Sequence, residues 1–174
     1  MNLSLQATDF ELFGVPARFA QDRTVLEARW KELQREVHPD RFAAQGAAAQ
    51  RVAMQWSVRI NEAYQRLKDP LRRAGYLCEL RGAPIDAERN TAMPRQFLQQ
   101  QLEWREALED ARGEAELDAV SDQLQAARRQ VLGEVERLLD EAGDPQRAAE
   151  QVRALMFIER FAHDVETRFE QLGQ

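Results

Sequence analysis

The amino-acid sequence predicts an all-α protein built from two small helical modules. Apolar side chains recur three and four positions apart through most of the 174 residues, which is the spacing of one face of a helix. Runs that alternate strictly between apolar and polar residues, typical of half-buried strands, are missing. The eight glycines and six prolines are few and clustered, so they mark the ends of helices.

The first module begins with a short helix, predicted over residues 9–15, and a longer amphipathic one. The second helix is predicted to begin at a capping box formed by Thr24 and Glu27. Pro39 disfavours the helical conformation of the preceding residue, so this helix should end at Val37 or His38. Its apolar stripe consists of Leu26, Trp30, Leu33 and Val37.

A loop and two further helices complete the first module. The segment DRFAAQG, residues 40–46, is predicted to be a loop. The third helix should end before Asp69 and Pro70, and a short helix is predicted over residues 71–80. The apolar stripe of the third helix consists of Val52, Trp56, Ile60, Ala63 and Leu67.

The second module is predicted to be an antiparallel three-helix bundle. Residues 81–94 break the helical pattern with one glycine and two prolines, which indicates a linker or a docking loop. A helix is predicted over residues 94–111, and a long one follows over Leu117 to Leu138. Asp144 suits the N-cap of the last helix and Pro145 its first position. Short loops between long helices favour antiparallel packing.

Composition and charge exclude several classes of function. Apolar residues make up 44% and charged residues 31%, a balance typical of soluble globular proteins, and no apolar run approaches the roughly 18 residues of a membrane span. The N-terminus lacks the pattern of an export signal, so we expect a cytoplasmic protein. The net charge is −6, with 12 basic and 10 acidic side chains in residues 1–80 and 12 and 20 in the remainder. The acidic second half argues against nucleic acid as its partner.

Cysteine and histidine are too few for a disulfide framework or a transition-metal site. Cys78 is the single cysteine, and His38 and His163 are the only histidines. We therefore predict no metal and no cofactor. Cys78 is expected to be a buried small apolar residue at the junction of the modules, and His163 a surface residue.

The sharpest local feature is the tripeptide His38-Pro39-Asp40 between two amphipathic helices. A proline-fixed turn could present the imidazole and the carboxylate outward on a rigid support. The same residues could form an ordinary interhelical turn, or the acid–base pair of an enzyme. No nucleophile motif, phosphate loop or metal set lies near them in the sequence, which argues against the enzyme. The preceding helix adds three cations to its polar surface, Arg29, Lys31 and Arg35.

Helix, His-Pro-Asp, loop, helix and Leu-x-Asp-Pro, in that order, resemble a J-domain, the module that activates the ATPase of seventy-kilodalton chaperones. Both modules together resemble the HscB family, the J-protein co-chaperones of iron–sulfur cluster biogenesis. General J-proteins lack the second half, so the combination is specific. The cysteine-rich zinc region of some eukaryotic relatives is missing, as in the bacterial form. The matching segments are LFGVPARF (12–19), HPDRF (38–42), INEAYQRLKDPLRRAGYL (60–77) and FLQQQLEWREAL (97–108).

The resemblance implies a J-domain over residues 1–80, an antiparallel helical hairpin with short flanking helices. A linker over 81–93 and a three-helix bundle over 94–174 would follow, in an L-shaped arrangement. The J-domain would bind an HscA-type chaperone and the bundle an IscU-type scaffold protein, with no catalysis by this chain, and we expect a monomer. His38, Pro39 and Asp40 would trigger the chaperone. The docking surface for the chaperone would consist of Arg29, Lys31, Arg35 and Arg41, the last in a place where the family usually has lysine.

Helical geometry independently predicts a binding surface on the first helix of the bundle. At about 100° per residue, its core stripe consists of Phe97, Trp104, Leu108 and Ala111. Leu98 and Leu102 lie roughly 100° and 140° away among carboxylates, which indicates an apolar site with an acidic rim. These leucines could instead cover the linker or the J-domain, or be scattered surface residues.

The family's scaffold-binding positions map here to Leu98, Gln99, Leu102, Glu103, Glu106, Asp110 and Phe157. Gln99 stands where relatives can have methionine, so we expect it to contribute less. Phe157 projects about 100° off the apolar stripe of the last helix and is predicted as a third apolar contact. The alternative is a general J-protein whose bundle binds other clients. Such a surface is often rich in methionine, whereas the four methionines here are dispersed.

Overall fold

The computed structural model describes residue 4 and residues 6–173. Within this part of the chain there are seven α-helices and no β-strand, which confirms the all-α class, and none of these helices is long and apolar enough to cross a membrane. The helices are α1 (Asp9–Phe13), α2 (Arg23–Val37), α3 (Ala47–Lys68), α4 (Pro70–Leu80), α5 (Arg95–Asp110), α6 (Glu114–Glu136) and α7 (Pro145–Leu172). A 3₁₀ helix, Pro39–Gln45, joins α2 to α3, and a π-helical turn, Arg137–Glu141, follows α6.

The chain divides into two compact units between Tyr76 and Leu77. This division falls inside α4, whereas the first module was predicted to extend to residue 80. Residues 81–94 lie in the second unit. Each unit buries its own set of apolar side chains.

The frame of the first unit is an antiparallel pair of helices, α2 and α3. Trp30 Nε1 donates a hydrogen bond to Asn61 Oδ1 at 2.8 Å. Gln34 lies one turn later on α2 and donates to the carbonyl oxygen of Ser57, one turn earlier on α3, at 3.1 Å. The predicted helical hairpin is therefore confirmed. Its buried side chains are Leu26, Leu33 and Val37 of α2 and Ala53, Ile60, Ala63 and Leu67 of α3.

Helices α1 and α2 have ends that differ from the predicted ones. Helix α1 ends at Phe13 because Gly14 takes the left-handed conformation, with φ at 64°, that closes many helices. The N-cap of α2 is Asp22, whose carboxylate accepts the backbone N–H groups of Thr24 and Val25 at 2.9 and 3.4 Å. The predicted capping box at Thr24 is wrong, because α2 already begins at Arg23 and Asp22 is its N-cap.

Two predictions around α3 are also wrong. Residues 40–46 were predicted to be a loop, but Pro39 fixes φ for a helical first turn and a 3₁₀ helix continues to Gln45. Val52 was assigned to the buried stripe, yet 51% of it is exposed while its neighbour Ala53 is buried. Val52 instead lines an open groove between α3 and the 3₁₀ helix.

Helix α1 is tied to α3 by the fully buried carboxylate of Asp9. Two nitrogens of the Arg66 guanidinium donate to its two oxygens at 2.6 and 3.1 Å, and Arg59 contacts one of them at 2.8 Å. The hydrogen bond with Asp9 raises the pKa of Arg66. The backbone N–H of Asp9 donates to the hydroxyl of Tyr76 at 3.0 Å, so α4 joins the same cluster.

The second unit is a bundle of α5, α6 and α7, as predicted. Helices α6 and α7 pack along each other, and Arg128 of α6 pairs with Glu159 of α7 at 3.7 Å. The carboxylate of Asp144 accepts the backbone N–H of Arg147 at 3.2 Å, and Pro145 occupies the first turn. The predicted start of the last helix is therefore confirmed.

Four aromatic rings join α5 to α7. Phe97 lies 5.7 Å from Phe157 and Trp104 lies 6.3 Å from Phe161, so the two helices run in the same direction. Phe157 also stacks on Phe161 at 5.7 Å and is only 8% exposed. The prediction that Phe157 lies off the core is wrong, because α7 contacts both other helices and buries a wider arc than one stripe.

Residues 81–94 are fastened to the bundle by Arg153 of α7, which is 5% exposed. Its Nε donates to the carbonyl oxygen of Ile85 at 3.0 Å, and its terminal nitrogens donate to those of Ala92 and Pro84 at 3.1 and 3.4 Å. These carbonyls satisfy buried donors that would be costly to leave unpaired. The predicted linker is thus an ordered part of the second unit.

Replacing Phe157 by alanine should destabilise the second unit. Removing a buried phenylalanine leaves a cavity and lowers the free energy of unfolding by about 3–5 kcal/mol. Urea denaturation followed by circular dichroism measures the change. Leu98→Ala is the control, because Leu98 is 49% exposed and its truncation should cost less than about 1 kcal/mol. Equal stability of the two variants would contradict the placement of Phe157 in the core.

Candidate partner-binding sites

The His-Pro-Asp turn is exposed between α2 and α3. Helix α2 ends at Val37, and His38 has φ −57° and ψ 129°, the region into which Pro39 directs its predecessor. The imidazole Nδ1 accepts the backbone N–H of Asp40 at 3.3 Å and so caps the 3₁₀ helix. The side chains of His38 and Asp40 are 59% and 91% exposed.

This geometry leaves polar groups of the turn available to a partner. A neutral imidazole whose Nδ1 accepts a hydrogen bond carries its proton on Nε2, which can then donate outward. The Asp40 carboxylate lies 3.7 Å from Nδ1 and is almost fully solvated. General acid–base catalysis is favoured by a pocket that limits the access of bulk water to the reacting groups. The exposure of both side chains therefore favours recognition over catalysis.

The four cations predicted to dock the chaperone differ in their availability. Arg29 donates from Nε to the carbonyl oxygen of Phe13 at 2.9 Å and pairs with Glu32. Its guanidinium is therefore already used in contacts that join α2 to α1. Lys31 pairs with Glu27 at 3.3 Å on the same helix. Arg35 and Arg41 each donate a hydrogen bond to a backbone carbonyl oxygen, that of Lys31 and that of Arg35, at 3.4 Å, and neither forms an ion pair within the described part of the chain. Arg35 and Arg41 are thus the cations best placed for a partner.

An open groove of about 630 Å³ lies beside the His-Pro-Asp turn, and sequence analysis did not anticipate it. Its apolar lining includes Phe42 of the 3₁₀ helix and Val52 and Trp56 of α3. Met54 and Val58, also exposed, lie elsewhere on α3. A helical projection places these two roughly 120° and 160° from Ile60, so periodicity alone could have shown that α3 exposes apolar residues.

The surface of α5 has the predicted composition. Leu98 and Leu102 are 49% and 62% exposed, whereas Phe97 and Trp104 of the core stripe are buried. Exposed polar side chains surround the two leucines, namely Gln99, Glu103, Glu106 and Asp110. The projection therefore placed Leu98 and Leu102 off the core face correctly, whereas Leu108, predicted to belong to the core stripe, is only half-buried.

Phe157 is not part of that exposed face. Its ring lines the floor of a separate groove of about 390 Å³ between α5 and α7. The groove also contains Arg105 and Leu108 of α5, which sequence analysis did not select as binding residues. The sequence did contain a pattern that could have pointed to Arg105. Leu98, Leu102 and Arg105 are four and three residues apart, so they lie along one line on α5.

The described residues offer no metal-binding cluster of three or more histidine, cysteine, aspartate or glutamate side chains. Cys78 is fully buried, as expected, and burial raises the pKa of its thiol to about 11. The thiol is therefore protonated at neutral pH and is a poor nucleophile. His163 is exposed, as predicted.

Comparisons with known proteins cover almost the whole chain. Residues 93–166 match a family model described as the HSCB C-terminal oligomerisation domain. The co-chaperone protein HscB homolog of Burkholderia thailandensis is 52% identical over 173 residues, 98% of each chain. That of Burkholderia cenocepacia is 52% identical over 98% of each chain.

Solved structures show the same architecture. Chaperone HscB from Vibrio cholerae is 37% identical, with a TM-score of 0.79 over 95% of this chain and 99% of that one. The human co-chaperone protein HscB is 27% identical, with a TM-score of 0.84 over 95% of this chain and 84% of that one. Together with the exposed His-Pro-Asp turn and the three-helix bundle, these similarities show that the chain belongs to the HscB family of J-protein co-chaperones, which act in iron–sulfur cluster biogenesis.

Proposed function

We propose that this protein binds an IscU-type scaffold protein, delivers it to an HscA-type seventy-kilodalton chaperone and stimulates the ATPase of that chaperone. The single observation that carries the proposal is the exposed leucine pair Leu98 and Leu102, on a chain whose other unit exposes a His-Pro-Asp turn. One molecule can thus offer a different surface to each partner. Membership of the HscB family supports this choice of partners.

The first 80 residues are proposed to act on the chaperone as a J-domain. The rigid turn would insert the Nε2–H of His38 and the carboxylate of Asp40 into polar contacts with the chaperone, with Pro39 fixing the backbone between them. Arg35 and Arg41 would guide the encounter, because exposed cations raise the association rate with an acidic surface. Lys31 would contribute less while paired with Glu27, and Arg29 least.

Residues 94–174 are proposed to bind the scaffold, with residues 81–93 as the segment that leads into this bundle. Leu98 and Leu102 would be the apolar centre of the interface, and the carboxylates around them would form its rim. The rim residues are Glu103, Glu106 and Asp110, with Gln99 adding a polar contact.

Linking the two sites in one chain raises the local concentration of scaffold near chaperone without any new contact. The proposal needs no catalysis by this chain, since ATP hydrolysis belongs to the chaperone and the cluster belongs to the scaffold. It places a monomer in the cytoplasm and requires neither nucleic acid nor membrane. Maturation of iron–sulfur proteins would be the outcome.

His38→Gln should reduce the ATPase rate of an HscA-type chaperone to its basal level without unfolding the protein. Substitutions at exposed sites usually change stability by less than about 0.5 kcal/mol, so lost stimulation would reflect a lost contact. Steady-state phosphate release at saturating co-chaperone is the measurement, and Ala44→Gln in the same 3₁₀ helix is the control. Full stimulation by His38→Gln would remove the turn from this role.

Arg35→Glu should weaken chaperone binding several-fold at low salt, and added salt should shrink the difference from the wild type. Exposed charges are screened over about 8 Å at physiological ionic strength. Association rates measured by surface plasmon resonance over a salt series provide the test. Arg23→Glu, at the other end of α2, makes the same charge change and should have a smaller effect. A defect that is independent of salt would contradict electrostatic guidance.

The double variant Leu98→Ala, Leu102→Ala should lose scaffold binding while keeping its stability and its basal stimulation of the chaperone. Each truncation at an interface centre can cost about 2 kcal/mol, so we expect at least about thirtyfold weaker binding. Calorimetry with an IscU-type scaffold measures the affinity. Glu103→Lys at the rim should mainly slow association. A stable double variant with wild-type affinity would exclude this surface.

A further inference from the structure

A network of polar side chains joins α2 to α3 on one side of the helical hairpin. Trp30 Nε1 and Gln34 Nε2 each donate to Asn61 Oδ1 at 2.8 Å. Gln34 Nε2 also donates to the carbonyl oxygen of Ser57 at 3.1 Å, and Ser57 Oγ donates to Gln34 Oε1 at 2.8 Å. The four side chains therefore form one connected network across the two helices.

This network fixes the direction of the Asn61 amide. The amide nitrogen is a donor only, so the atom that accepts two N–H groups must be the oxygen. The nitrogen then lies on the side away from Trp30 and Gln34. Asn61 is exposed, and its Nδ2–H groups have no acceptor among the residues that the structure describes. The hairpin thus holds a pair of outward donors whose orientation is set before binding, which lowers the entropy cost of using them.

Asn61 belongs to an uncharged stripe along α3. Successive steps of four, three and four residues place Met54, Val58, Asn61 and Gln65 along one line on the helix. Met54 and Val58 are 54% and 51% exposed and lie one turn apart, so they form an apolar pair beside the amide. The stripe therefore offers apolar contact area and neutral hydrogen-bond donors.

The network is continuous with the surface of α2 that is proposed to face the chaperone. Gln34 lies three residues after Lys31, a spacing that makes them neighbours on the helix surface. It also lies four residues before His38, about 6 Å along the helix axis. A partner that covers Lys31 and the His-Pro-Asp turn therefore comes close to Asn61 across the seam between the helices.

The composition of the stripe indicates which acceptor it suits. A carboxylate placed against Met54 and Val58 would lose hydration, and the stripe has no cation between Met54 and Gln65 to compensate for that loss. A main-chain carbonyl oxygen is neutral and costs less to desolvate. An extended peptide segment offers such carbonyl groups together with apolar side chains.

We infer that Asn61 is a further chaperone-binding residue. Its amide donates to a main-chain carbonyl oxygen of an extended segment of the HscA-type chaperone, and Met54 and Val58 contact apolar side chains of that segment. The inference rests on the proposed function, and it adds an uncharged contact on α3 to the charged contacts on α2.

The test separates the lost donor from the added charge. Asn61→Asp keeps an oxygen for Trp30 and Gln34 but has no amide N–H groups to offer a partner. It should weaken chaperone binding about fivefold, as the loss of one hydrogen bond would, and the defect should persist at high salt, because a contact between neutral groups is not screened. Asn61→Ala should show a similar loss at every salt concentration.

The matched control is Gln55→Glu, which makes the same charge change about 120° away around α3. At high salt it should differ from the wild type by less than about twofold, because only its charge can act there. Affinity is measured by surface plasmon resonance over a salt series, and thermal unfolding is run on every variant. In the ATPase assay the Asn61 variants should need more co-chaperone for half-maximal stimulation but reach the wild-type maximal rate, since the His-Pro-Asp turn is unchanged.

A merely structural role of Asn61 predicts wild-type affinity for Asn61→Asp at high salt, and that result overturns the inference. Wild-type affinity of a folded Asn61→Ala variant overturns it as well; if that variant unfolds, Asn61→Asp alone decides. If Arg35→Glu and His38→Gln have their expected defects while the Asn61 variants match the wild type, the proposed function stands and this contact does not. If the wild type neither binds nor stimulates the chaperone, both are overturned.

Discussion

A buried charge that must be satisfied fixes the arrangement of each unit. Asp9 is fully buried, and its carboxylate is satisfied only when α1 and α3 lie where Arg59 and Arg66 can reach it. Its backbone N–H adds Tyr76 of α4 to the same cluster. Buried ion pairs contribute little net stability, but removing one partner is strongly destabilising. The cluster therefore selects one packing of three helices.

The second unit also contains a buried charge whose hydrogen-bonding groups must be satisfied, here a cation. Arg153 is buried in α7 and takes its partners from backbone carbonyl oxygens of Pro84, Ile85 and Ala92. The chain that leads into α5 is thereby held before the helix begins. Both proposed binding surfaces stand on fixed backbone: the His-Pro-Asp turn on a capped 3₁₀ helix, and the leucine pair on a helix whose other face is packed.

Periodicity was sufficient for the outer face of α5 and for most of the α2–α3 hairpin, though not for Val52. It separated Leu98 and Leu102 from Trp104, and Pro39 correctly predicted the end of α2. Periodicity failed where two residues could cap the same helix, or where two helices pack against different sides of a third. Asp22 caps α2 before Thr24 can, and α7 buries Phe157 because two helices flank it. Pairwise contacts such as Asp9 with Arg66 join residues far apart in sequence and leave no local pattern.

The attachment of residues 84–92 to Arg153 has a consequence for how such chains can be recombined in evolution. The family model begins at residue 93, after these residues. A gene fusion joined at that point would retain Arg153 but lose the three carbonyl oxygens that accept hydrogen bonds from its buried guanidinium. A junction inside α4, near the boundary between Tyr76 and Leu77, would keep them together. A fusion that keeps the second unit intact must therefore include residues 84–92 as well as the three helices of the bundle.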